Sequence, residues 1–199
     1  MLVGITGAAG SGKSSIASVL EREHGFVAVG LADVMKRFCA DIFQWSDERL
    51  FGASSLRNEL DPTWNGLSAR SALQELGTGF GRRMHPDVWI RYVGHVAEAL
   101  ANGGFLYDAR HGLAIAPDAK PAHVVVSDIR FHNEAASVRA GGGVIWRATR
   151  GQGLRGAHGL HQSEIEQQTI EADHVIDNNR PIEELSGQIG AAMMKGRAA

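Results

Sequence analysis

Three glycines, a lysine and two serines stand together in Gly7-Ala-Ala-Gly-Ser-Gly-Lys-Ser14. A polyphosphate needs close backbone approach, and the glycines at 7, 10 and 12 leave room for it. The N–H groups of such a loop, and of a helix opening behind it, then point at the phosphate oxygens. Lys13 supplies a point charge for the β- and γ-phosphates, and the Ser14 hydroxyl is spaced to ligand Mg²⁺. The residues Ala9, Gly10, Ser11, Gly12, Lys13, Ser14 and Ser15 are therefore the expected ATP-phosphate site. A dinucleotide turn fits less well, because Ser15 falls where G-x-G-x-x-G requires its third glycine.

A second group of charged residues follows the apolar run "HVVVSD". Asp128 ends that run, where a carboxylate can reach Mg²⁺ or its water; capping the next helix is the alternative. Arg130 is two residues on, either facing the same crevice or solvated. Further along, "RATRGQGLRG" carries Arg147, Arg150 and Arg155 among glycines, suiting a small lid over residues 148–162 or a plain exposed loop. Arg150 is the arginine expected to reach the phosphate. Asp33 and Lys36 stand at i and i+3, on one face of a helix.

Elements that could hold these residues alternate along the chain. "MLVGIT" reads as a buried strand before the loop, and "KSSIASVLEREHG" as a helix stopped at Gly25. "FVAVG" is a strand, and "LADVMKRFCADIF" a helix with an apolar stripe of Leu31, Val34, Phe38 and Ile42. Residues 44–66 are irregular or briefly helical. Helices near 68–81 and 87–101 are separated by His85-Pro86. The valines at 124–126 predict a strand covered on both faces. A helix through "FHNEAASVRA", the strand "VIWRA", a helix after a Ser163/Glu166 capping box, the strand "HVID" and a last helix entered at Pro181 complete the series. The order implies an α/β fold, a central parallel sheet flanked by helices, with 1–199 as one domain. Residues 103–122 fit no element of that series, and a hairpin inserted before the central strand is one reading.

Composition narrows the function classes. The chain has 199 residues, 44% of them hydrophobic and 21% charged, with a net charge of -2, so no general basic field recruits nucleic acid or an anionic membrane. Neither partner is expected. No apolar segment is long enough to span a bilayer, and no basic leader precedes the first strand, so a cytoplasmic place is expected. Cys39, the one cysteine, reads as a small buried hydrophobe. His158, His161 and Glu164 lie close in sequence, but without a further ligand cluster they suit the lid better than a metal.

The residues around Asp128, "VVVSDIRFHNEAASVRAGGGVIWRATR", resemble the central block of the bacteriophage deoxynucleoside monophosphate kinases. "LADVMKRF", "LQELGTGFGRRMHPDVW", "HQSE" and "HVIDNN" resemble further blocks of that family in the same order. The resemblance implies a P-loop kinase fold with an arginine-bearing lid. It also implies transfer of the γ-phosphate of ATP to a deoxynucleoside 5′-monophosphate, with Mg²⁺ held by Ser14 and Asp128. Lys13, Arg130 and Arg150 are then catalytic. Asp33 and Lys36 would orient the monophosphate or its sugar. Gln74, Thr78 and Arg82 match the next block, with Gly77 and Gly79 letting substrate come close. Arg130, Asn133 and Glu134 would complete the acceptor side, although Asn133 and Glu134 could equally start a helix. Asn178 falls where the family holds adenine, and Trp64 is a candidate for stacking on a base. The block "ADVMK" lacks the proline often found there. A homodimer is left open. The rival readings are another P-loop small-molecule kinase, such as one acting on dephospho-coenzyme A, and a nucleotide-gated binding protein with no acceptor.

Overall fold

The computed structural model of the chain describes residues 1–151, 162–179 and 181–196. In chain order these form β1 (Leu2–Thr6), α1 (Lys13–His24), β2 (Phe26–Gly30), α2 (Asp33–Phe43), α3 (Asp47–Phe51), β3 (Leu60–Asp61), β4 (Leu67–Ser68) and α4 (Ala69–Gln74). A π-helical segment (Glu75–Gly81) then runs into α5 (Arg82–Met84), followed by α6 (Val88–Asn102). The second half comprises β5 (Phe105–Asp108), β6 (Gly112–Ile115), β7 (His123–Ile129), α7 (His132–Ala140), β8 (Val144–Thr149), α8 (Gln162–Thr169), β9 (His174–Asp177) and α9 (Ile182–Gly196).

Five strands make one parallel sheet in the order β2-β7-β1-β8-β9. Side chains alternate faces along a strand, and here both faces are covered. Val3, Ile5, Val125 and Trp146 lie against Ile16, Val19 and Leu20 of α1 and Leu185 and Ile189 of α9. Val124, Val126 and Ile145 lie in the opposite cluster, against Val93, Val96 and Leu100 of α6 and Val138 of α7. The three valines thus divide between two cores, as their uninterrupted run predicts. Each such side chain contributes about 2 kcal/mol by leaving water, so the central strands fix the loops at their C-terminal ends firmly.

A smaller helical cluster holds Cys39, Trp45, Leu50, Ala69 and Ala72. It corrects the stripe expected on α2. Met35 and Cys39 are its buried apolar residues, whereas Phe38 and Ile42 are about half exposed. The face is chosen by α3 and α4, whose positions local periodicity does not encode. Burial also pushes the Cys39 thiol up to about 11, which leaves it a protonated, inert group. Residues 103–122 do form an antiparallel hairpin, β5–β6, just before β7. Helix α8 runs Gln162–Thr169 and so includes Ser163. Among the described residues no helix is long and apolar enough to cross a membrane.

Candidate active site

The loop from Gly7 joins the C-terminal end of the central strand β1 to α1, so α1 starts with its N–H groups at the sheet edge. Backbone sterics explain its glycines differently from the sequence argument. Gly7, Gly10 and Gly12 all have positive φ, which L-residues with side chains rarely adopt. A Cβ at Gly7 would lie 2.5 Å from the Ala148 carbonyl oxygen, and one at Gly12 would strike the Asn178 amide. The loop is thus pressed against β8 and the end of β9, and protein atoms demand these glycines before any phosphate does. Asn178 Nδ2 donates to the Ser11 carbonyl at 3.2 Å, and its backbone N–H donates to Thr149 O at 2.7 Å. Asn178 therefore forms part of the loop's wall.

Lys13 Nζ donates to the Gly7 and Ala8 carbonyls (2.6 and 3.0 Å) and pairs with Asp128 Oδ1 at 3.3 Å. Asp128 Oδ2 accepts from Arg130 Nε at 2.8 Å. One carboxylate thus gathers two cations at the mouth of the loop. Burial works to raise the Asp128 pKa, but Arg130 and Lys13 together outweigh it and hold the carboxyl below its usual range. Asp128 also has φ +70°, at a place where the β1–β7 register shifts between Gly4 and Thr6. A non-glycine residue held there costs roughly 1 kcal/mol or more, and such strain concentrates at functional positions. Asp128 does not cap α7. Glu134 does, its Oε2 accepting from the N–H groups of Arg130 (2.8 Å) and Phe131 (3.1 Å).

Glu134 is buried, and burial pushes its carboxyl up to about 7 against those two N–H donors and Arg82. Arg82 lies 3.6 Å above the Phe131 ring, with Nη1 3.5 Å from Glu134 Oε1 and Nη2 donating to Asn133 Oδ1 at 3.2 Å. Asn133 Nδ2 reaches Asp87 Oδ1 at 2.7 Å. The structure therefore brings Arg82, Asn133 and Glu134 together. Glu134 is thus engaged at the helix start, whereas the Asn133 amide is spent on Arg82, Pro86 O and Asp87.

On the neighbouring edge, Gly30 N–H and Asp33 Oδ2 are 2.8 Å apart, and Lys36 Nζ is 3.2 Å from Asp33 Oδ1. Asp33 is only 5% exposed, so this is no solvated surface pair. Gln74 sits exposed on α4, and Thr78 is half-buried in the π segment. Ser14 is exposed in the first turn of α1. Gly77 faces Met35, and the glycine that close packing requires is Gly81, beneath the Trp89 ring. Trp64 packs edge-on against Phe43 and donates to its carbonyl at 3.2 Å.

The arginine-rich loop divides. Arg147 belongs to β8 and donates to the carbonyls of Gln167 and Ile170 behind α8, which removes it from the candidates for a lid. Arg150 is exposed and lines a cavity with Gly7, Ala8, Ser11 and Thr149, beside the phosphate loop. Arg155, His158 and His161, with most of the expected lid, lie outside the described residues. Sequence reasoning missed two features. Arg57 donates to Leu50 O and Gly52 O; burial and then Arg70 lower its pKa while Asp128 opposes them, which puts Arg57 within electrostatic reach of the crevice. Tyr107 of β5 donates to Asp33 Oδ2 at 3.1 Å across 74 positions of sequence. Only the contact itself signals either.

A phosphate loop at the centre of a five-stranded parallel sheet, with two cations gathered at its mouth, defines a P-loop kinase, a phosphotransferase acting with a nucleotide. No protein-family model matches the chain. It is 33% identical over 191 residues to a protein of Acanthamoeba polyphaga mimivirus provisionally named a deoxynucleotide monophosphate kinase, covering 95% of this chain and 94% of that protein. The chain belongs to the deoxynucleotide monophosphate kinase family. In fold it is similar to shikimate kinase from Aquifex aeolicus, with a TM-score of 0.54 over 100% of this chain and 99% of that one, at 13% identity. TT1252 from Thermus thermophilus, 17% identical over 98% of this chain and 97% of its own, has a TM-score of 0.48 and adds nothing to that.

Proposed function

We propose that this chain transfers the γ-phosphoryl group of ATP to a deoxynucleoside 5′-monophosphate, giving ADP and a deoxynucleoside diphosphate. Support comes above all from the convergence of Lys13 and Arg130 on Asp128 at the loop mouth. Phosphoryl transfer asks for in-line positioning and for neutralisation of two mutually repelling anions, with little covalent chemistry. ATP phosphates would lie along Ala9 to Ser15, and Lys13 would exchange its two loop carbonyls for phosphate oxygens. Arg130 and Arg150 would meet the γ-phosphoryl group from opposite sides. Arg82, held flat on Phe131 by Asn133 and Glu134, would face the acceptor together with Lys36.

Ser14 and Asp128 are the proposed Mg²⁺ ligands. A hydroxyl and a carboxylate are hard oxygen donors, and Asp128 stays ionised between two cations. Mg²⁺ is held by one or two protein oxygens with substrate phosphates. A three-acid cluster, which the described residues lack, is therefore not required. When bound, the ion draws charge from the β- and γ-oxygens.

The test is ADP release from ATP, measured over deoxyribo- and ribonucleoside monophosphates and dephospho-coenzyme A. Stimulation by at least one deoxynucleoside monophosphate is expected. Stimulation by dephospho-coenzyme A alone would move the chain to another acceptor. Slow hydrolysis indifferent to every monophosphate would leave a nucleotide-gated protein and sink the proposal.

A further inference from the structure

The hairpin β5–β6 has no counterpart in the alternating series, yet it delivers a side chain to Asp33. Asp33 is buried, and its three described partners leave its capacity countable. Oδ2 takes the Gly30 N–H at 2.8 Å and the Tyr107 hydroxyl at 3.1 Å, and Oδ1 faces Lys36 at 3.2 Å. A carboxylate offers about four acceptor positions, two on each oxygen. One position remains, on Oδ1. A ribose presents neighbouring 2′- and 3′-hydroxyls that would bind such a carboxylate through both oxygens; a 2′-deoxyribose presents only one.

The hairpin that carries this hydroxyl is tied to α2, the helix of Asp33 itself, through Arg37. Arg37 Nη1 donates to the Ala109 carbonyl at 2.8 Å in the hairpin turn, and Nη2 to the Tyr92 hydroxyl at 2.6 Å. The guanidinium lies 6.0 Å from the centre of the Tyr107 ring. At the tip, Arg110 Nε is 3.2 Å from Asp47 Oδ2 of α3. Burial, reinforced by Asp33, raises the Tyr107 phenol well above its ordinary range, so it remains a donor at every working pH.

We propose that Tyr107 determines sugar specificity as a positioning residue: its hydroxyl occupies the acceptor position on Asp33 that a 2′-hydroxyl would need, leaving the carboxylate one sugar hydroxyl to bind. The inference rests on the acceptor reading above, with the sugar at Asp33. It predicts that Tyr107→Phe, which keeps the ring and frees Oδ2, lets a ribonucleotide bind through both oxygens. One hydrogen bond of this kind corresponds to about tenfold in an equilibrium constant.

The experiment measures kcat and KM for one deoxynucleoside monophosphate and its ribonucleotide, in the parent, in Tyr107→Phe and in Asp33→Asn. In Tyr107→Phe the deoxy-over-ribo ratio of kcat/KM should shrink about tenfold, chiefly through a lower KM for the ribonucleotide, with the KM for ATP unchanged. Asp33→Asn should raise the KM for the deoxynucleotide. A parent ratio near one overturns the inference, as does an equal change for both sugars in Tyr107→Phe, which is what a merely structural hydroxyl would give. An unmoved acceptor KM in Asp33→Asn overturns it while leaving the kinase reading intact. If no monophosphate stimulates the parent, the kinase reading fails and takes the inference with it.

Discussion

Gly12→Ala is the sharpest perturbation of the phosphate loop, because the structure separates its cost into two parts. Gly12 has φ +91° and ψ 24°, and a methyl group there points into the Asn178 amide. The left-handed backbone costs about 1–2 kcal/mol for an L-side chain, and overpacking against Asn178 adds about 1–3 kcal/mol. Together they amount to roughly 2–5 kcal/mol, or a fall in Tm of roughly 4–20 °C for a domain of this size. Asn178→Ala alone loses the 3.2 Å bond to Ser11 O, at about 1 kcal/mol. The double variant should recover the overpacking and keep the backbone cost, giving a coupling of about 1–3 kcal/mol in a double-mutant cycle. Urea unfolding of the four proteins, with ATP titrated into each, supplies the cycle. Equal destabilisation by Gly12→Ala in both backgrounds would refute the argument. So would a Tm left in place while ATP affinity collapses, since then phosphate and not Asn178 would be what the methyl group meets.

Other perturbations probe the remaining parts of the site. Glu134→Ala strips an acceptor from two N–H groups at the start of α7, and at about 1–3 kcal/mol for each orphaned donor it should cost roughly 2–6 kcal/mol; Glu134→Gln, which keeps an acceptor oxygen, should cost far less in the same denaturant titration. Because burial places the folded Glu134 pKa at about 7, above its unfolded value near 4.5, the native state retains a proton that the unfolded chain releases. The stability this group contributes is full below about pH 4.5 and is lost as pH rises through about 7, a decline that unfolding measured from pH 4.5 to 8 should show and that Glu134→Gln should flatten. Lys13→Ala should lower phosphoryl transfer at least ~100-fold with Tm within ~4 °C of the parent, since among the described residues its ammonium bonds loop carbonyls and Asp128; a large fall in Tm would mean that the lysine serves the fold.

Much of this was legible from local pattern. The strand-loop-helix around Lys13, the double-faced valine strand and the helix after Arg130 each follow from residues within a dozen positions. Asp128 and Arg130 were legible for the same reason, since a strand's C-terminal end is where a parallel sheet exposes its chemistry. What was not legible depends on distant partners or unusual geometry. Phe38 and Ile42 of α2 fit an apolar stripe as well as Met35 and Cys39 do, and only α3 and α4 select between them. The π segment at Glu75–Gly81 escapes any search for a 3.6-residue period. Arg147 lies in the strand "VIWRA" and also opens a run of arginines and glycines that suits a lid; its bonds to the carbonyls of Gln167 and Ile170, distant in sequence, decide between the two. Tyr107 was out of reach because the hairpin folds back on a helix 74 residues earlier.

The hairpin divides the labour of the crevice. In the proposed reading the phosphate donor would lie against β1, α1 and the ends of β8 and β9, while the wall beside Asp33 borrows a residue from an appendage that leans on α2 and α3. On that reading, exchanging side chains in the appendage would alter the acceptor side while leaving the contacts of Lys13 and Asp128 in place. Selectivity and catalytic power would then reside in separate stretches of chain, each open to change by itself.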